Sequence, residues 1–322
     1  MELNMNNLTG KNILVTGGNG LVGGHLVEAL LKEKPNQIVC LVRSNDPKSY
    51  FSLQGFDKQV VCAFGDLKDK ERMVDVVSRY EINHIFHLGA QPIVNTAFLN
   101  PYETLTTNIM GTVNILEAAR IKGDLESIVV ASSDKAYGKK CSLAKENEPL
   151  AGDHPYDVSK SSADLISMAY FRTYNLPVTI SRFGNIYGPG DLNINRIIPG
   201  IMKSLLDGVE LELRSDGTFK RDYVYVKDVA KGYVDLAKNI KISRGEAFNF
   251  STGFNFSVLG LIENVSQVLG MKINYKIVNN QKNEIPEQSL DFEKVKRMLN
   301  WEAKFSFEES VKETFEWYRK TL

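Results

Sequence analysis

Cysteine, histidine and long apolar runs are scarce in this sequence, and each scarcity excludes a class of protein. The 322 residues include 3 cysteines and 4 histidines. Cys40, Cys62 and Cys141 are odd in number and widely spaced, so we expect reduced, buried thiols and neither a disulfide framework nor a zinc or other metal site. The longest wholly apolar runs, such as Ile38–Val42, have the length of a strand and are too short to cross a bilayer.

An excess of one charge and a targeting segment are also missing. Lys and Arg together number 39, and Asp and Glu together also number 39. A balanced chain without a basic block is not typical of proteins that bind nucleic acid or a membrane surface. The polar stretch from Met1 to Lys11 lacks the apolar segment of a signal peptide. We therefore expect a cytoplasmic protein with no nucleic-acid or membrane partner.

A glycine-rich loop lies between a short apolar strand and an amphipathic helix near the start of the chain. The loop reads Gly17-Gly-Asn-Gly20-Leu-Val-Gly23, and apolar residues recur at helical spacing after it. In this context Gly17 permits a tight turn, Gly20 lets a pyrophosphate approach the backbone, and Gly23 lets helix and strand pack closely. Because a helix N-terminus also attracts phosphate, the motif predicts a dinucleotide-binding fold.

Strand and helix alternate from Lys11 to Phe183, which predicts a Rossmann-like, doubly wound parallel sheet of the α/β class. The predicted strands of this part are Lys11–Thr16, Asn36–Arg43, Gln59–Phe64, His84–Leu88, Ser127–Ala131 and Leu176–Phe183. Gly184–Gly190 is then predicted as a loop, and shorter elements follow. We expect a dinucleotide-binding domain of residues 1–183 plus about 224–252, and a smaller α/β substrate-binding lobe of residues 184–223 plus 253–322.

The ends of the predicted strands supply the other candidate cofactor contacts. The second strand ends in Val42-Arg43, where a carboxylate often holds the adenosine ribose. Arg43 indicates the 2′-phosphate of NADP, but an ordinary surface arginine fits equally well, so NAD or NADP stays open. Asp66 either receives the adenine amino group or caps the next helix, and His87 is expected to be a packed strand residue. The expected cofactor contacts are Gly17, Asn19, Gly20, Leu21, Val22, Gly23, Arg43, Asp66, Leu67, Leu88, Ala90, Tyr156 and Lys160.

Five side chains suit carbinol oxidation coupled to proton transfer. Ser133, Asp134 and Lys135 follow an apolar strand, and Tyr156 and Lys160 stand one turn apart on the next long helix. Because a nearby ammonium favours the phenolate, Lys160 is expected to lower the pKa of Tyr156 from its ordinary value of about 10. Tyr156, with Ser133, would take the proton of a carbinol as its hydride leaves. Asp134 and Lys135 add a second acid and base, which plain alcohol oxidation does not need.

Ordered motifs along almost the whole chain resemble the extended short-chain dehydrogenase/reductases that act on nucleotide sugars, the NAD-dependent epimerase/dehydratase family. The motifs are the glycine loop, Gly65-Asp66-Leu67, Tyr156-x-x-x-Lys160, Arg182-Phe-Gly-Asn185-Ile-Tyr-Gly and Arg221-Asp-Tyr-Val-Tyr-Val-Lys-Asp228. The resemblance implies tightly bound NAD or NADP and a nucleotide-diphosphate-sugar substrate. It also implies that Gln91, Asn185, Arg196 and Arg221 bind this substrate.

Asp134-Lys135 separates the branches of this family. Its sugar 4-epimerases usually place small residues there, whereas its 4,6-dehydratases carry an acid and a base, which are Asp-Lys in the CDP-glucose branch. Ala90-Gln91-Pro92 also resembles CDP-glucose 4,6-dehydratase, as does Gly188-Pro-Gly-Asp191 followed by Arg196. In contrast, Arg221-Asp-Tyr-Val-Tyr-Val has the general family form, and Val42-Arg43 resembles the NADP-using GDP-mannose dehydratases.

The resemblance implies conversion of CDP-glucose to CDP-4-keto-6-deoxyglucose, with hydride moved internally from carbon 4 to carbon 6. Tyr156 would remove the proton of the 4-hydroxyl, Lys135 would take the proton of carbon 5, and Asp134 would donate to the departing 6-hydroxyl. A nucleotide-sugar 4-epimerase or 4-ketoreductase is the alternative. A non-catalytic dinucleotide-binding sensor is a remote alternative, because a sensor would not need Tyr156 or Asp134.

The two longest predicted helices raise the question of a dimer. Pro101–Lys122 and Tyr156–Tyr174 have apolar outer faces. Paired with their copies they would form a four-helix homodimer interface, although packing within one core is also compatible with the pattern.

Overall fold

The computed structural model of the protein describes residues 7–139, 141–279 and 285–322. Its strands, in chain order, are β1 (Asn12–Thr16), β2 (Gln37–Val42), β3 (Val61–Phe64), β4 (His84–His87), β5 (Ser127–Ala131), β6 (Cys141–Ala144), β7 (Val178–Phe183), β8 (Asn185–Tyr187), β9 (Leu211–Leu213), β10 (Lys220–Tyr225), β11 (Ala247–Phe250), β12 (Asn255–Ser257), β13 (Tyr275–Ile277) and β14 (Glu287–Leu290).

The helices surround these strands and include three short segments of other helical types. In chain order the α-helices are α1 (Leu21–Lys32), α2 (Tyr50–Leu53), α3 (Lys70–Arg79), α4 (Val94–Leu99), α5 (Pro101–Leu105), α6 (Gly111–Lys122), α7 (Pro155–Tyr174), α8 (Ile197–Asp207), α9 (Val226–Lys238), α10 (Ile240–Ser243), α11 (Val258–Leu269), α12 (Glu293–Leu299) and α13 (Phe307–Thr321). Single 3₁₀ turns form at Phe56–Lys58 and Asp134–Tyr137, and a π-helical segment, Thr106–Met110, joins α5 to α6.

A seven-stranded sheet forms the centre of the molecule, in the order β11-β7-β5-β4-β1-β2-β3. Every pairing in it is parallel, and β1 and β4 are buried at every position. Continuous apolar strands of this kind need helices on both faces. The sequence prediction of a Rossmann-like α/β fold is thus confirmed. Because the strand order reverses between β1 and β4, the carboxyl ends of these strands border a crevice.

Two hydrophobic layers hold the helices against the sheet. On one face Leu26 and Leu30 of α1 pack with Val229 of α9, and on the other Met73 of α3 packs with Leu116 of α6. All five side chains are fully buried. Each such burial stabilises the fold by about 1.5–3 kcal/mol, so the helices are held in place and position the strand ends between them.

A second sheet, beside the carboxyl ends of the first, is drawn from distant parts of the chain. Its order is β12-β10-β14-β6, with β8 paired to β10. The buried carboxylate of Asp222 on β10 accepts hydrogen bonds from the Leu290 backbone at 2.9 Å, from the Ser251 hydroxyl at 2.8 Å and from the Asn255 amide at 2.9 Å. This one side chain therefore fixes β14 beside β10.

Two details differ from the sequence prediction. The segment predicted as loop, Gly184–Gly190, contains β8, whose three residues pair in parallel with Tyr223–Tyr225. The helix predicted from Pro101 to Lys122 is interrupted by the π-helical segment. Short strands of this kind form through pairing with distant residues, which a local pattern does not reveal. The division into two domains stays a prediction.

The scarce residues of the sequence also have defined places. Cys40 is buried and Cys62 is half-buried, and both are free thiols; the side chain of Cys141 lies outside the part of the chain that is described. Within the described ranges, no helix combines the length and the apolar character needed to span a bilayer.

Candidate active site

The glycine loop between β1 and α1 forms one wall of a cavity of about 820 Å³. Gly17 has a φ of +70°, and a Cβ there would lie 3.0 Å from the Cα of Gly89, which follows β4. A Cβ on Gly23 would lie 2.1 Å from the carbonyl oxygen of Gly17. Side chains at these positions would therefore push the loop away from α1 and the end of β4. The loop packs closely against both, as the glycine spacing predicts.

The cavity fits a dinucleotide. Gly20 caps α1 without a side-chain hydrogen bond, and no acidic residue occupies the first turn, so the positive end of the helix is available to phosphate. Of the expected cofactor contacts, Lys160 does not line the cavity. The others do, and they are Gly17, Asn19, Gly20, Leu21, Val22, Gly23, Arg43, Asp66, Leu67, Leu88, Ala90 and Tyr156. Their contact with a cofactor stays a prediction, which is supported by their position around one cavity.

The expected 2′-phosphate ligand, Arg43, shares a carboxylate with a second cation. Glu103 of α5 accepts from Lys68 at 2.8 and 3.0 Å and from the Thr107 hydroxyl at 3.1 Å, and its Oε1 is 3.8 Å from Nη1 of Arg43. The hydrogen bond from Lys68 lowers the pKa of Glu103, so this carboxyl is ionised. Lys68 also lies 3.8 Å from Asp66. Two cations thus face two carboxylates here, and the local charge is balanced.

Tyr156 and Lys160 lie on α7, one turn apart, but the pKa of Tyr156 is raised, whereas the sequence predicts that it is lowered. Burial, and then the charge of Asp134, raise the pKa of Tyr156, while a hydrogen bond with Ser133 acts in the opposite direction. Nζ of Lys160 donates to the carbonyl oxygen of Ala131 at 2.8 Å, and burial lowers the pKa of Lys160 to about 8. Lys160 therefore sits behind the cavity wall, where it ties α7 to the end of β5.

Ser133, Asp134 and Lys135 form a contact chain on the turn after β5. The Ser133 hydroxyl donates to Oδ1 of Asp134 at 2.8 Å, and Nζ of Lys135 lies 3.3 Å from the same oxygen. Asp134 is buried, whereas Lys135 is partly exposed. All three line the cavity together with Tyr156. The structure thus brings together an acid and a base beside the tyrosine, as the sequence indicates.

A second cavity, of about 970 Å³, adjoins the first and is lined by two of the four expected substrate contacts, Arg196 and Arg221. Arg196 lines both cavities and donates to Asp191 and to the Ile186 carbonyl, each at 2.7 Å. Arg221 lines the second cavity, and Asn185 lines the first. Arg214, which sequence reasoning missed, also lines both. These guanidinium groups make the junction of the cavities suitable for a diphosphate.

Two residues noted in the sequence are engaged inside the protein. The Gln91 amide donates to Thr104 at 2.7 Å and accepts from the Ile93 backbone at 2.6 Å, and Gln91 is not among the residues that line either cavity. The hydrogen bonds of Gln91 support this loop, and its expected contact with the substrate stays a prediction. His87 is hydrogen-bonded to the Thr16 and Thr112 hydroxyls, and burial lowers its pKa to about 3. It is a packed residue, as expected.

Sequence reasoning also missed Asp157, which follows Tyr156 and lines the second cavity. Burial raises its pKa to about 6, against the opposing charge of Lys135. The sequence signal that could have found it is an acidic residue directly after the tyrosine.

A buried network supports the same region from behind, because Arg182 binds Asp164 at 2.8 and 3.0 Å and donates to the Tyr137 hydroxyl at 2.6 Å.

The sheet, the glycine cradle and the Ser-Tyr-Lys set define an extended short-chain dehydrogenase/reductase. A family comparison makes this more specific. The sequence pattern of the GDP-mannose 4,6 dehydratase family matches residues 14–314, so the chain belongs to that family.

Curated relatives extend over nearly the whole chain at modest identity. A trifunctional UDP-glucose 4,6-dehydratase/UDP-4-keto-6-deoxy-D-glucose 3,5-epimerase/UDP-4-keto-L-rhamnose-reductase of Arabidopsis thaliana is 28% identical over 98% of this chain and 48% of its own length. The chain thus spans about half of that relative. A CDP-glucose 4,6-dehydratase of Salmonella typhimurium is 26% identical over 96% of this chain and 91% of the relative.

Solved structures with both kinds of chemistry share the fold. The UDP-glucose 4-epimerase of Thermotoga maritima, determined with UDP-glucose, has a TM-score of 0.87 at 28% identity and covers 96% of this chain and 99% of its own. The dTDP-glucose 4,6-dehydratase DesIV of Streptomyces venezuelae, with NAD and TYD bound, also has a TM-score of 0.87 at 28% identity, over 96% and 97% of the two chains. The second structure supports a nicotinamide dinucleotide as the cofactor.

Proposed function

We propose that this chain is a nucleotide-sugar 4,6-dehydratase that converts CDP-glucose to CDP-4-keto-6-deoxyglucose. The observation that carries the proposal is the contact of Asp134 with Lys135 beside Tyr156 in one cavity. Oxidation of a carbinol needs only the tyrosine and its partners, whereas loss of water from the next two carbons needs a further acid and base. The Salmonella typhimurium relative named CDP-glucose 4,6-dehydratase supports this substrate.

NAD or NADP would lie in the cavity of the glycine loop. Gly20 and the first turn of α1 would hold its pyrophosphate, and Asp66 and Leu67 lie at the end where the adenine would bind. When bound, the oxidised nicotinamide would accept the hydride of sugar carbon 4 and return it to carbon 6.

Tyr156 would take the proton of the sugar 4-hydroxyl, assisted by Ser133. Burial and Asp134 keep the Tyr156 phenol protonated in the described structure. Loss of the charge on Asp134, through its protonation, would therefore also make Tyr156 more acidic. The carboxyl group that donates a proton later in the reaction thus also influences the first proton transfer.

Asp134 and Lys135 would complete the elimination of water. Lys135 would take the proton of carbon 5, Asp134 would give a proton to the departing 6-hydroxyl, and a double bond would form between carbons 5 and 6. The reactive pair, a neutral amine and a carboxylic acid, contains as many protons as an ammonium and a carboxylate. A proton shift across the 3.3 Å contact would prepare the pair, and the elimination would restore its charges. When hydride returns to carbon 6, Lys135 would give its proton back to carbon 5, which completes the 4-keto-6-deoxy sugar.

The diphosphate of the substrate would bind where the two cavities meet. Arg196 and Arg214 line both cavities, and Arg221 lines the second. Planar guanidinium groups bind phosphate oxygens through paired hydrogen bonds. This placement would direct the sugar toward Tyr156 and Lys135 and leave the cytosine ring of the substrate in the second cavity.

A donor panel tests the proposed function. The purified protein is incubated in parallel with CDP-glucose, GDP-mannose, dTDP-glucose and UDP-sugars, and the products are weighed by mass spectrometry. We expect loss of one water from CDP-glucose without net use of cofactor. An isomer of unchanged mass would instead identify a 4-epimerase, and water loss from another donor only would reassign the nucleotide.

We also propose that the protein prefers NAD to NADP, because Glu103 holds the two cations that a 2′-phosphate would need. Replacing Glu103 with glutamine removes one negative charge beside Arg43. The ratio of bound NADP to bound NAD should rise about fivefold, since repulsion by a nearby unit charge contributes about 1 kcal/mol to the binding free energy in water. The ratio is measured by chromatography of nucleotides extracted from the purified protein.

Glu308→Gln is the matched control, because Glu308 is also paired with a lysine but lies on α13. It should leave the nucleotide ratio unchanged. Wild-type protein that already carries mainly NADP, or an unchanged ratio in Glu103→Gln, would contradict the preference.

We further propose a homodimer through the long helices. Val158 and Leu165 lie two turns apart on α7 and are 37% and 59% exposed, and Met110, before α6, is 47% exposed. Apolar side chains at such spacing suit a helix that packs on a second copy. Leu165→Glu should yield monomers by light scattering, whereas Leu53→Glu, at another exposed leucine on α2, should not. A wild-type monomer at micromolar concentration would refute the dimer.

A further inference from the structure

Gln288 on β14 carries a buried amide nitrogen at the edge of the second cavity. The residue is 1% exposed, and its backbone carbonyl accepts from the Asn255 amide at 3.3 Å. Its side chain lines the cavity together with Lys135 and Arg221. Among the described residues its Nε2 has no hydrogen-bond partner. Buried amide nitrogens are nearly always paired, so this one calls for a specific partner.

The orientation of the Gln288 amide follows from its neighbour. Oε1 of Gln288 lies 3.4 Å from Nζ of Lys135, which can donate to it in either protonation state. The oxygen is thus directed toward the catalytic pair, and the nitrogen keeps its two N–H groups for something else. Gln288 therefore lies beside the position where the sugar must meet Lys135.

The backbone that carries Gln288 is held firmly. Gln288 is the register partner of Arg221 on β10, and Asp222 binds the Leu290 backbone two positions later. On the other side Gln288 faces Cys141 on β6, and the register with β6 shifts between Gln288 and Leu290. A side chain on the middle strand of such a sheet keeps its direction, which a binding residue requires.

We propose that Gln288 is a substrate-binding residue that donates a hydrogen bond from Nε2 to an oxygen of the bound hexose. The proposal rests on the proposed function for the nature of the substrate. Arg221, its neighbour in the sheet, would bind the diphosphate, so the two adjacent strand positions would recognise adjacent parts of one nucleotide sugar. Nothing in the sequence motifs points to this glutamine, because it lies on a short strand formed by distant pairing.

Gln288→Leu and Gln288→Met test the proposal through binding. Calorimetry compares CDP-glucose with CDP, which carries the same nucleoside and diphosphate but no hexose. Loss of one hydrogen bond should weaken CDP-glucose binding about five- to tenfold and leave CDP binding within about twofold of the wild type. Methionine keeps the unbranched shape of glutamine, so agreement between the variants separates the loss of the amide group from a change of shape.

Thermal unfolding separates this role from a structural one. Nε2 has no partner among the described residues, and Oε1 makes only a 3.4 Å contact with the partly exposed Lys135. Removal of the amide group should therefore leave the melting temperature nearly unchanged or raise it. Gln267→Leu, at an exposed glutamine of α11, is the control and should change neither binding nor stability.

Equal weakening of CDP-glucose and CDP, unchanged affinity for CDP-glucose, or a lowered melting temperature in both variants would overturn the proposal. The outcome is independent of turnover. If the donor panel identifies another nucleotide sugar, that sugar and its nucleoside diphosphate replace the pair. A chain that binds the sugar without dehydrating it refutes the proposed function, while the binding of the two variants still decides the role of Gln288.

Discussion

Replacing Tyr156 with phenylalanine should reduce turnover by roughly 10²- to 10⁴-fold, the contribution of a positioned acid–base group. The phenolic hydroxyl is the only group lost. Without it, no group next to Ser133 would take the proton of the sugar 4-hydroxyl. Hydride transfer, and every step after it, should stop. The measurement is the rate of ketone formation from the preferred donor, together with the absorbance of reduced nicotinamide, which should not rise in the variant.

The affinity of Tyr156→Phe for the nucleotide sugar should stay close to that of the wild type, because the proposed diphosphate contacts are Arg196 and Arg221. Tyr174→Phe is the matched control, since Tyr174 ends the same helix and is 52% exposed. Substantial turnover by Tyr156→Phe would show that another group is the base, and the assignment of the tyrosine would be wrong.

Asp134→Asn should separate the first half of the reaction from the second. Asparagine keeps an oxygen that can accept from the Ser133 hydroxyl, now at 2.8 Å, but it has no acidic proton for the departing 6-hydroxyl. Carbon 4 should still be oxidised, while water loss falls by roughly 10²- to 10⁴-fold. Reduced nicotinamide should therefore accumulate on mixing with substrate, and mass spectrometry should detect little product that has lost water.

Asp75→Asn provides the control for loss of a carboxylate, because Asp75 pairs with Arg72 and Arg79 on α3, outside the cavities. Its turnover should match that of the wild type. Dehydration at the normal rate by Asp134→Asn would remove this residue from the mechanism and with it the main argument against an epimerase.

The sequence predicts the large sheet well because its information is local. Each parallel strand is an apolar run bounded by glycine or polar residues, and α1, α6 and α7 have long apolar faces. The second sheet could not be predicted in the same way. β6, β8, β12 and β14 are three or four residues long, and only pairing with distant segments makes them strands.

The candidate site also has parts that the sequence predicts and parts that depend on contacts between distant residues. Ser133, Asp134 and Lys135 follow one strand, and the tyrosine lies one helical turn before Lys160, so spacing alone places them together. The balance of charge around Arg43 was not predictable, because Glu103 comes from a helix sixty residues away. Burial likewise decides the pKa of Tyr156, and no motif reports how deeply a phenol is buried.

The composition of the second sheet bears on how the protein is made. Its strands come from five places between Cys141 and Leu290, and parallel pairings between distant segments form slowly. The cradle beside β1 uses only the early part of the chain, which can collapse while synthesis continues. A nascent chain would thus pass through a stage able to hold a dinucleotide before the wall that carries Arg221 and Gln288 exists.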